Sequence, residues 1–418
     1  MIAGAGWLLR VSFVMLGSRF DVAGGDQLYY SAQAIANVDG HWYRQPFATA
    51  LPAAEHPPLT ALFLTPITWV VRSTDHILLA QRLAMTVVGA LGVAAVGVLA
   101  RDVARRSAWR EGADRVGSIA AAIAAVYANV WVNDGLLMSE SLAFLLVTLV
   151  AIGVGRLWSG ETKSTTRTSI ATGVAVGLCA LTRPELMVLV IVIPAVWVLV
   201  RRKIGFRDGV TVALVGLVVI APWVAWNLGR FDEPVFLGTN DGVTMAGGNC
   251  DRTWFDDVGS WDLACALAVP VPVGSDASVA SSRQREAGLR YVTAHLDRLP
   301  VVVAARLVRV SSLGFFGSSF DAAAVEGRPI AISWLGVAQY WVLVGFALIG
   351  FRYLPRFDRW MFLVPIVLVL GVAAIANAYV RLRIPAEMGL VVTAAIGIET
   401  MIRRRTPDPV GVGVSESG

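Results

Sequence analysis

The sequence is poor in charge, in lysine and in cysteine. Only 16% of its 418 residues are Asp, Glu, Lys or Arg, against about 25% in a soluble domain. That shortfall excludes a disordered chain and argues against a soluble globular enzyme. Three cysteines exclude a disulfide-dense scaffold. Lys163 and Lys203 are the only lysines. There is no internal repeat, no low-complexity block, no Gly-rich phosphate loop, and no His/Cys/Asp cluster with metal-ligand spacing. What is present is apolar: residues of the AVILMFWYC set make up 56% and mean hydropathy is +0.65. The composition therefore predicts an all-α, polytopic membrane bundle that folds as one unit.

The net charge of +5 and pI near 9.4 do not point to nucleic acid. The arginines fall in short blocks between apolar runs. A bilayer core needs about 20 mostly apolar residues per helix. Runs near 2–17, 77–99, 117–133, 140–157, 169–182, 186–200, 210–226, 332–351, 360–377 and 385–401 predict about ten spans, the first, fifth and sixth being short. Basic blocks fill every second gap: Arg101, Arg105, Arg106, Arg110 and Arg115; Arg156, Lys163 and Arg167; Arg201, Arg202, Lys203 and Arg207; Arg352, Arg356 and Arg359; Arg403, Arg404 and Arg405. Positive charge stays on the cytoplasmic side, so both termini are expected inside. Residues 1–405 then form a single membrane domain, with a disordered cytoplasmic tail at 406–418. The opposite gaps face outward, and two are long, 18–76 and 227–331. A chain that only transports has no evident need for so much polar structure outside the bilayer.

The first outer loop contains Gly24-Gly25-Asp26-Gln27-Leu28-Tyr29-Tyr30, followed by a stretch able to form a helix to about Val38. Asp26 stands at that helix's N-terminus, where the macrodipole favours a carboxylate. It reads either as an N-cap or as a general base held at the membrane surface. Further on, Glu55-His56-Pro57-Pro58-Leu59 makes a rigid corner, because two prolines fix φ and remove two donors. His56 is thus presented from a fixed backbone, or simply turns the chain back into the bilayer.

This pair of motifs, about 30 residues apart, resembles the opening of the polyprenyl-phosphate-sugar glycosyltransferases of the GT-C superfamily, such as the bacterial protein O-mannosyltransferases and the lipid A aminoarabinose transferases. The resemblance extends in topology over roughly residues 5–400. It implies that Asp26 is the catalytic base. It places His56 in a basic-Pro-Pro-Leu element where the family usually carries Lys. It implies a second acid near the outer end of the third and fourth spans, which falls on Glu140 in Leu137-Met138-Ser139-Glu140. It further implies an arginine before a proline in the last outer gap, contacting the lipid-linked phosphate. Here Tyr379-Val380-Arg381-Leu382-Arg383-Ile384-Pro385 offers two, which share a side if extended and diverge if helical. Arg383 is the favoured one, with Arg381 in support; the other reading makes both interfacial anchors. These arginines lie against the positive-inside bias, as expected of residues that hold an anion. Arg10 either reaches the same phosphate or snorkels to an interface. Tyr29, Tyr30, Glu55, Glu140 and Arg183 are candidates for supporting the site or contacting the acceptor, although Arg183 and Glu185 can also pair with each other across Pro184.

In the second long loop, Cys250 and Cys265 are the cysteines outside the spans and are expected to form a disulfide, whereas Cys179 lies within a span. Residues 286–310 repeat apolar positions at spacings of three and four, with arginines between them. They predict an amphipathic helix bent at Pro300, which either borders a lipid-donor groove or only packs on the bundle.

The expected reaction is inverting transfer of a sugar from a polyprenyl-phosphate donor to a hydroxyl or amine of a glycan, lipid or protein, on the outer face of a bacterial inner membrane. High Ala and Val with Arg in place of Lys suit a high-GC bacterium. No cofactor is required. A divalent cation bridging Asp26 and Glu140 is compatible with the residues but not demanded by them. The competing readings are a transporter or flippase, whose intramembrane charges mark a pathway, and an assembly partner without activity. Neither sugar nor acceptor is specified.

Overall fold

The structure is a computed structural model that describes residues 1–18, 24–201, 203–375 and 378–405. The tail expected to be disordered, 406–418, and Arg202 of the third basic block lie outside the described residues. The described chain is almost entirely helical, with one two-stranded hairpin.

From the N-terminus, α1 (Ile2–Phe13) runs into a π-turn, and α2 (Asp26–Val38) leads to the hairpin of β1 (Arg44–Gln45) and β2 (Ala48–Pro52). The short apolar α3 (Leu59–Val71) follows, with Leu64, Ala61, Thr60, Thr65 and Thr68 buried. This is the helix that the rigid corner at Pro57 and Pro58 opens, inside the stretch 18–76 expected to face outward. The bundle then continues with α4 (Ile77–Arg105), α5 (Ala113–Val126), a single turn α6 (Ala128–Trp131), α7 (Ser139–Ser159), α8 (Thr165–Thr182), α9 (Leu189–Arg201) and α10 (Lys203–Leu228). A cap made of α11 (Asn240–Gly248), α12 (Leu263–Leu267), α13 (Ala277–Ala294), α14 (Leu299–Val310) and α15 (Phe316–Val325) separates these from α16 (Ile330–Phe351), α17 (Arg356–Ile375) and α18 (Ile384–Arg405).

Among the described residues six helices are long and apolar enough to cross a membrane, where about ten spans were expected. A seventh span exists if Arg110–Val126 and Ala128–Leu136, bent by 59°, are one crossing. Ile2–Ser18 and Pro184–Trp197 are apolar but short. Thr165–Thr182 holds five threonines whose hydroxyls, such as those of Thr172 and Thr182, bond to carbonyls of its own preceding turn. The apolar runs were located correctly; their lengths and polarity set the lower number.

Helices pack through small residues. A β-carbon at Gly350 would strike the Thr393 carbonyl, and one at Gly397 the Phe346 carbonyl, so α16 and α18 approach backbone to backbone. Gly173 and Gly177 let α8 lie against Val215 and Val219 of α10 in the same manner. The bend at Tyr127 frees backbone groups, and side chains recover them. Gln339 of α16 accepts from the Ala128 N–H at 2.7 Å and donates to the Val126 carbonyl at 3.1 Å; Trp131 also donates to Val126. At the other end of α4, Arg106 pairs with Asp358 at 2.7 Å and Arg156 with Asp102 at 2.7 Å.

The amphipathic stretch 286–310 is two helices rather than one bent at Pro300. α13 ends at Ala294, and Pro300 sits in the first turn of α14, where its missing N–H costs nothing. Arg306 and Arg309 are buried, not interfacial. Arg306 donates to the carbonyls of Ala374 and Ile375 at 2.9 and 3.0 Å, and Arg309 to that of Val258 at 2.9 Å. Cys250 and Cys265 are joined by a disulfide. It closes a loop around Trp254, which is fully buried and bonds Asn249 at 3.2 Å. A closed loop of this length is worth about 3 kcal/mol. Reduction should therefore speed amide exchange in 250–265 by roughly a hundredfold, and alkylation without reductant should label neither cysteine. Labelling at either one rejects the bond.

Candidate active site

Asp26 is the first residue of α2, entered through Gly25 with φ of +54°. That backbone suits glycine and turns the Asp26 side chain off the helix end. No side-chain cap is made there, so the capping reading fails. The carboxylate instead meets Arg381, 355 residues away in sequence: Arg381 Nη1 donates to Asp26 Oδ2 at 2.6 Å. The proline corner sets His56 beside it, with Nε2 3.5 Å from Asp26 Oδ1 and 3.9 Å from Glu55 Oε1. The rings of Tyr29 and Tyr30 lie against the imidazole, with centroids 5.2 and 5.0 Å away.

Residues 380–383 form a 3-10 turn, so the two arginines diverge. Arg381 is the one that reaches the carboxylates, contrary to the preference for Arg383. Besides Asp26, Arg381 contacts Glu140 Oε1 at 3.3 Å and Glu326 Oε1 at 2.9 Å. Glu140, at the start of α7, is also held by Arg183 at 2.6 Å, and Arg183 by Glu185 at 2.5 Å. Both expected alternatives for Arg183 are thus realised together. The position between Asp26 and Glu140, where a bridging cation was considered, is taken by the Arg381 guanidinium.

Arg383 belongs to a separate buried network. It donates to Glu387 at 3.0 Å, to the Val310 carbonyl at 2.9 Å and to Ser312 at 3.0 Å, and its guanidinium lies 3.7 Å from the Tyr340 ring centroid. Tyr127 donates to Glu387, Asn129 donates to Tyr127, and Asn129 accepts from Arg328 at 2.5 Å. Arg10 is not at the site. It is fully buried, paired with Asp134 at 2.5 Å and bonded to the carbonyls of Gly6 and Ala125. Each of its three nitrogens bonds within the bundle, so neither the phosphate nor the snorkelling reading holds.

A cleft opens beside Arg381. Glu326, Arg328, Ser333, Asn129, Asn133 and Tyr379 line it. Arg328 Nε, Ser333 Oγ and Arg381 Nε are buried there with no hydrogen-bond partner in the protein. Unpaired buried donors are costly, and their grouping in one cleft suits an anion. Sequence reasoning missed Glu326, Arg328 and Ser333. Glu326 and Arg328 sit on the link from α15 to α16 and Ser333 in the first turn of α16; the signal that could have found the first two was the charge pair flanking Gly327 just before Pro329 and a span.

Burial alone would raise the Asp26 carboxyl, but Arg381 and His56 outweigh it and hold the group well below the usual carboxylate range. Burial lowers His56, yet Asp26 and Glu55 bring it above the ordinary imidazole value. Glu326 goes the other way. Burial pushes it up to about 7, with Arg381 opposing and Asp26 and Glu140 adding to the rise.

No family model and no curated protein sequence matches the chain. Among solved structures, the oligosaccharyltransferase of Archaeoglobus fulgidus, in complex with Zn and sulfate, is similar over 97% of this chain, with a TM-score of 0.54 and 13% identity. The chain covers 49% of that protein, about half its length. ArnT from Cupriavidus metallidurans is similar over 96% of this chain when bound to undecaprenyl phosphate and 95% in the apo state. TM-scores are 0.42 and 0.38, identities 16% and 17%, and 76% of ArnT is covered in each. The first likeness establishes the architecture: this is a multi-pass membrane protein that shares the helical fold of that oligosaccharyltransferase.

Two outcomes follow from the charges. Arg10→Gln leaves Asp134 buried without its partner and should cost about 3–5 kcal/mol, read as a lower melting temperature of the purified protein. Glu326 has a folded value above its ordinary 4.5, so its contribution to stability is complete below 4.5 and is lost as pH rises through about 7. The fall in melting temperature from pH 5 to 8 should be shallower in Glu326→Gln; an identical slope contradicts the assignment.

Proposed function

We propose that the chain is a glycosyltransferase that moves a sugar from a polyprenyl-phosphate donor to an acceptor hydroxyl or amine, with its site on the outer face of a bacterial inner membrane. The observation that carries this reading is the Asp26–Arg381 contact at 2.6 Å on the edge of a cleft holding unpaired Arg328, Ser333 and Arg381 donors. A carboxylate and an anion site side by side are what displacement of a phosphate by an alcohol requires. The fold shared with an oligosaccharyltransferase supports the same class.

In this reading the donor phosphate enters the cleft between Arg328 and Arg381, with Ser333 donating from its wall. The acceptor oxygen attacks the anomeric carbon as the carbon–oxygen bond to phosphate breaks. The bonding electrons leave with the phosphate, whose growing charge falls on the two guanidiniums. Asp26 takes the acceptor's proton. Its depressed pKa keeps it ionised at neutral pH and makes that transfer late, after bonding to the anomeric carbon has built positive charge on the attacking atom. His56 holds the carboxylate from its other side. A single displacement inverts the anomeric configuration. Glu140 and Arg183 fix Arg381 from behind, and Tyr29 and Tyr30 fix His56. Asp26 and Glu140 share Arg381 between them.

The test is transfer from a panel of labelled polyprenyl-phosphate sugars in membranes carrying the wild type or Asp26→Asn. The variant should lose about 10²- to 10⁴-fold in rate while still binding polyprenyl phosphate. Full activity in Asp26→Asn would overturn the assignment.

A further inference from the structure

Arg381 carries one positive charge and touches three carboxylates. Two of these have other partners: Asp26 faces His56, and Glu140 is bound by Arg183. Glu326 pairs with Arg381 alone among the described residues. Its backbone is pinned. Gln27 donates to the Glu326 carbonyl, and Gly24 passes so close that a β-carbon there would sit 2.8 Å from the Val325 carbonyl. Its side chain is nonetheless 19% exposed and stands in the cleft. The same cleft holds the unpaired donors of Arg328 and Ser333. Spare buried donors, next to a guanidinium already covered by a tethered carboxylate, describe an anion site with an internal anion in it.

We propose that Glu326 is a tethered stand-in for the donor's phosphate: its carboxylate holds Arg381 while the cleft is empty and is exchanged for the incoming phosphodiester. This rests on the transferase reading above. The exchange is anion for anion, so Arg381 stays paired throughout and Asp26 keeps its position. The phosphodiester has two non-bridging oxygens as the carboxylate does, and it also reaches the unpaired donors of Arg328 and Ser333, which favours it over Glu326. After transfer, Glu326 competes with the product's phosphate for Arg381 and so speeds its release. The elevated Glu326 pKa fits a carboxylate that is held weakly. Glu326 is thus a positioning residue that acts through Arg381, and it sets donor affinity and product exit rather than the chemical step.

The experiment titrates sugar-free polyprenyl phosphate into the purified protein in zwitterionic nanodiscs, with inorganic phosphate as a competitor. Wild type, Glu326→Gln, Glu326→Asp and Arg328→Gln are compared, each checked by its melting curve. Glu326→Gln should bind about tenfold tighter, a change of roughly 1.4 kcal/mol, and release the lipid more slowly. Glu326→Asp, which keeps the charge, should return toward the wild type, and Arg328→Gln should bind more weakly. In turnover, Glu326→Gln should lower both the donor KM and kcat. A folded Glu326→Gln protein that binds no tighter than wild type overturns the exchange and leaves the transferase reading intact. Failure of every protein, wild type included, to bind polyprenyl phosphate overturns both, and displacement by inorganic phosphate at equal concentration reduces the site to one for free phosphate.

Discussion

A guanidinium at the edge of a membrane bundle is stable only if it is surrounded by anions or acceptors, and Arg381 gathers its anions from three distant parts of the chain. Asp26 arrives on the first residue of α2, Glu140 on the first turn of α7, and Glu326 on the link before α16. Each of these elements ends at the same level because its helix must end there. Gly25 stops one, the left-handed Leu137 precedes another, and Pro329 opens the third. The charge cluster and the helix termini therefore specify each other. Remove the arginine, and three carboxylates face each other across a gap with only His56 and Arg183 to offset them.

Two polar layers lie side by side at this end of the molecule and do different things. In one, charges alternate from His56 through Asp26, Arg381 and Glu140 to Arg183 and Glu185, and part of that chain remains open to the cleft. In the other, Arg383, Glu387, Tyr127, Asn129 and Arg328 close into a network that joins the link before α16 to α18 and to the bend after α5. The second layer holds the wall on which Arg328 stands. In it Arg383, the more buried arginine of the pair, is bonded to Glu387, the Val310 carbonyl and Ser312, while Arg381 faces the cleft.

How much of this could be read from the sequence depends on how local the cause was. Asp26 and His56 were legible because glycines and prolines fix their backbones, and the chemistry follows from the side chain presented. Arg381 and Arg383 were recognised as a pair placed against the topological bias. Which of them faces the carboxylates depended on a 3-10 turn that four residues do not announce. Arg10 was misread because its partner, Asp134, lies on a bent helix 124 residues on, in a segment that hydropathy treats as a span end. Glu326 and Arg328 were invisible for a similar reason. Val325-Glu326-Gly327-Arg328-Pro329 reads as an ordinary turn, and only the contact with Gln27 and the closeness of Gly24 give it a place. The expected span count exceeds the six or seven long helices among the described residues because apolar runs reveal where helices are and not how long each one is.

The bend at Tyr127 has a bearing on the lipid-facing surface of α16. Gln339 is there to close a gap in another helix's ladder: it answers the Ala128 amide and the Val126 carbonyl at once. Replacing it with leucine would make that surface greasier and, by hydropathy, better suited to the bilayer. It would also strand the Ala128 amide in hydrocarbon and leave the Val126 carbonyl to Trp131 alone, loosening the very corner from which Asn129 steadies Arg328. In a protein of this kind, an amide on a helix turned toward lipid can be part of the neighbouring helix's backbone in all but covalent connection.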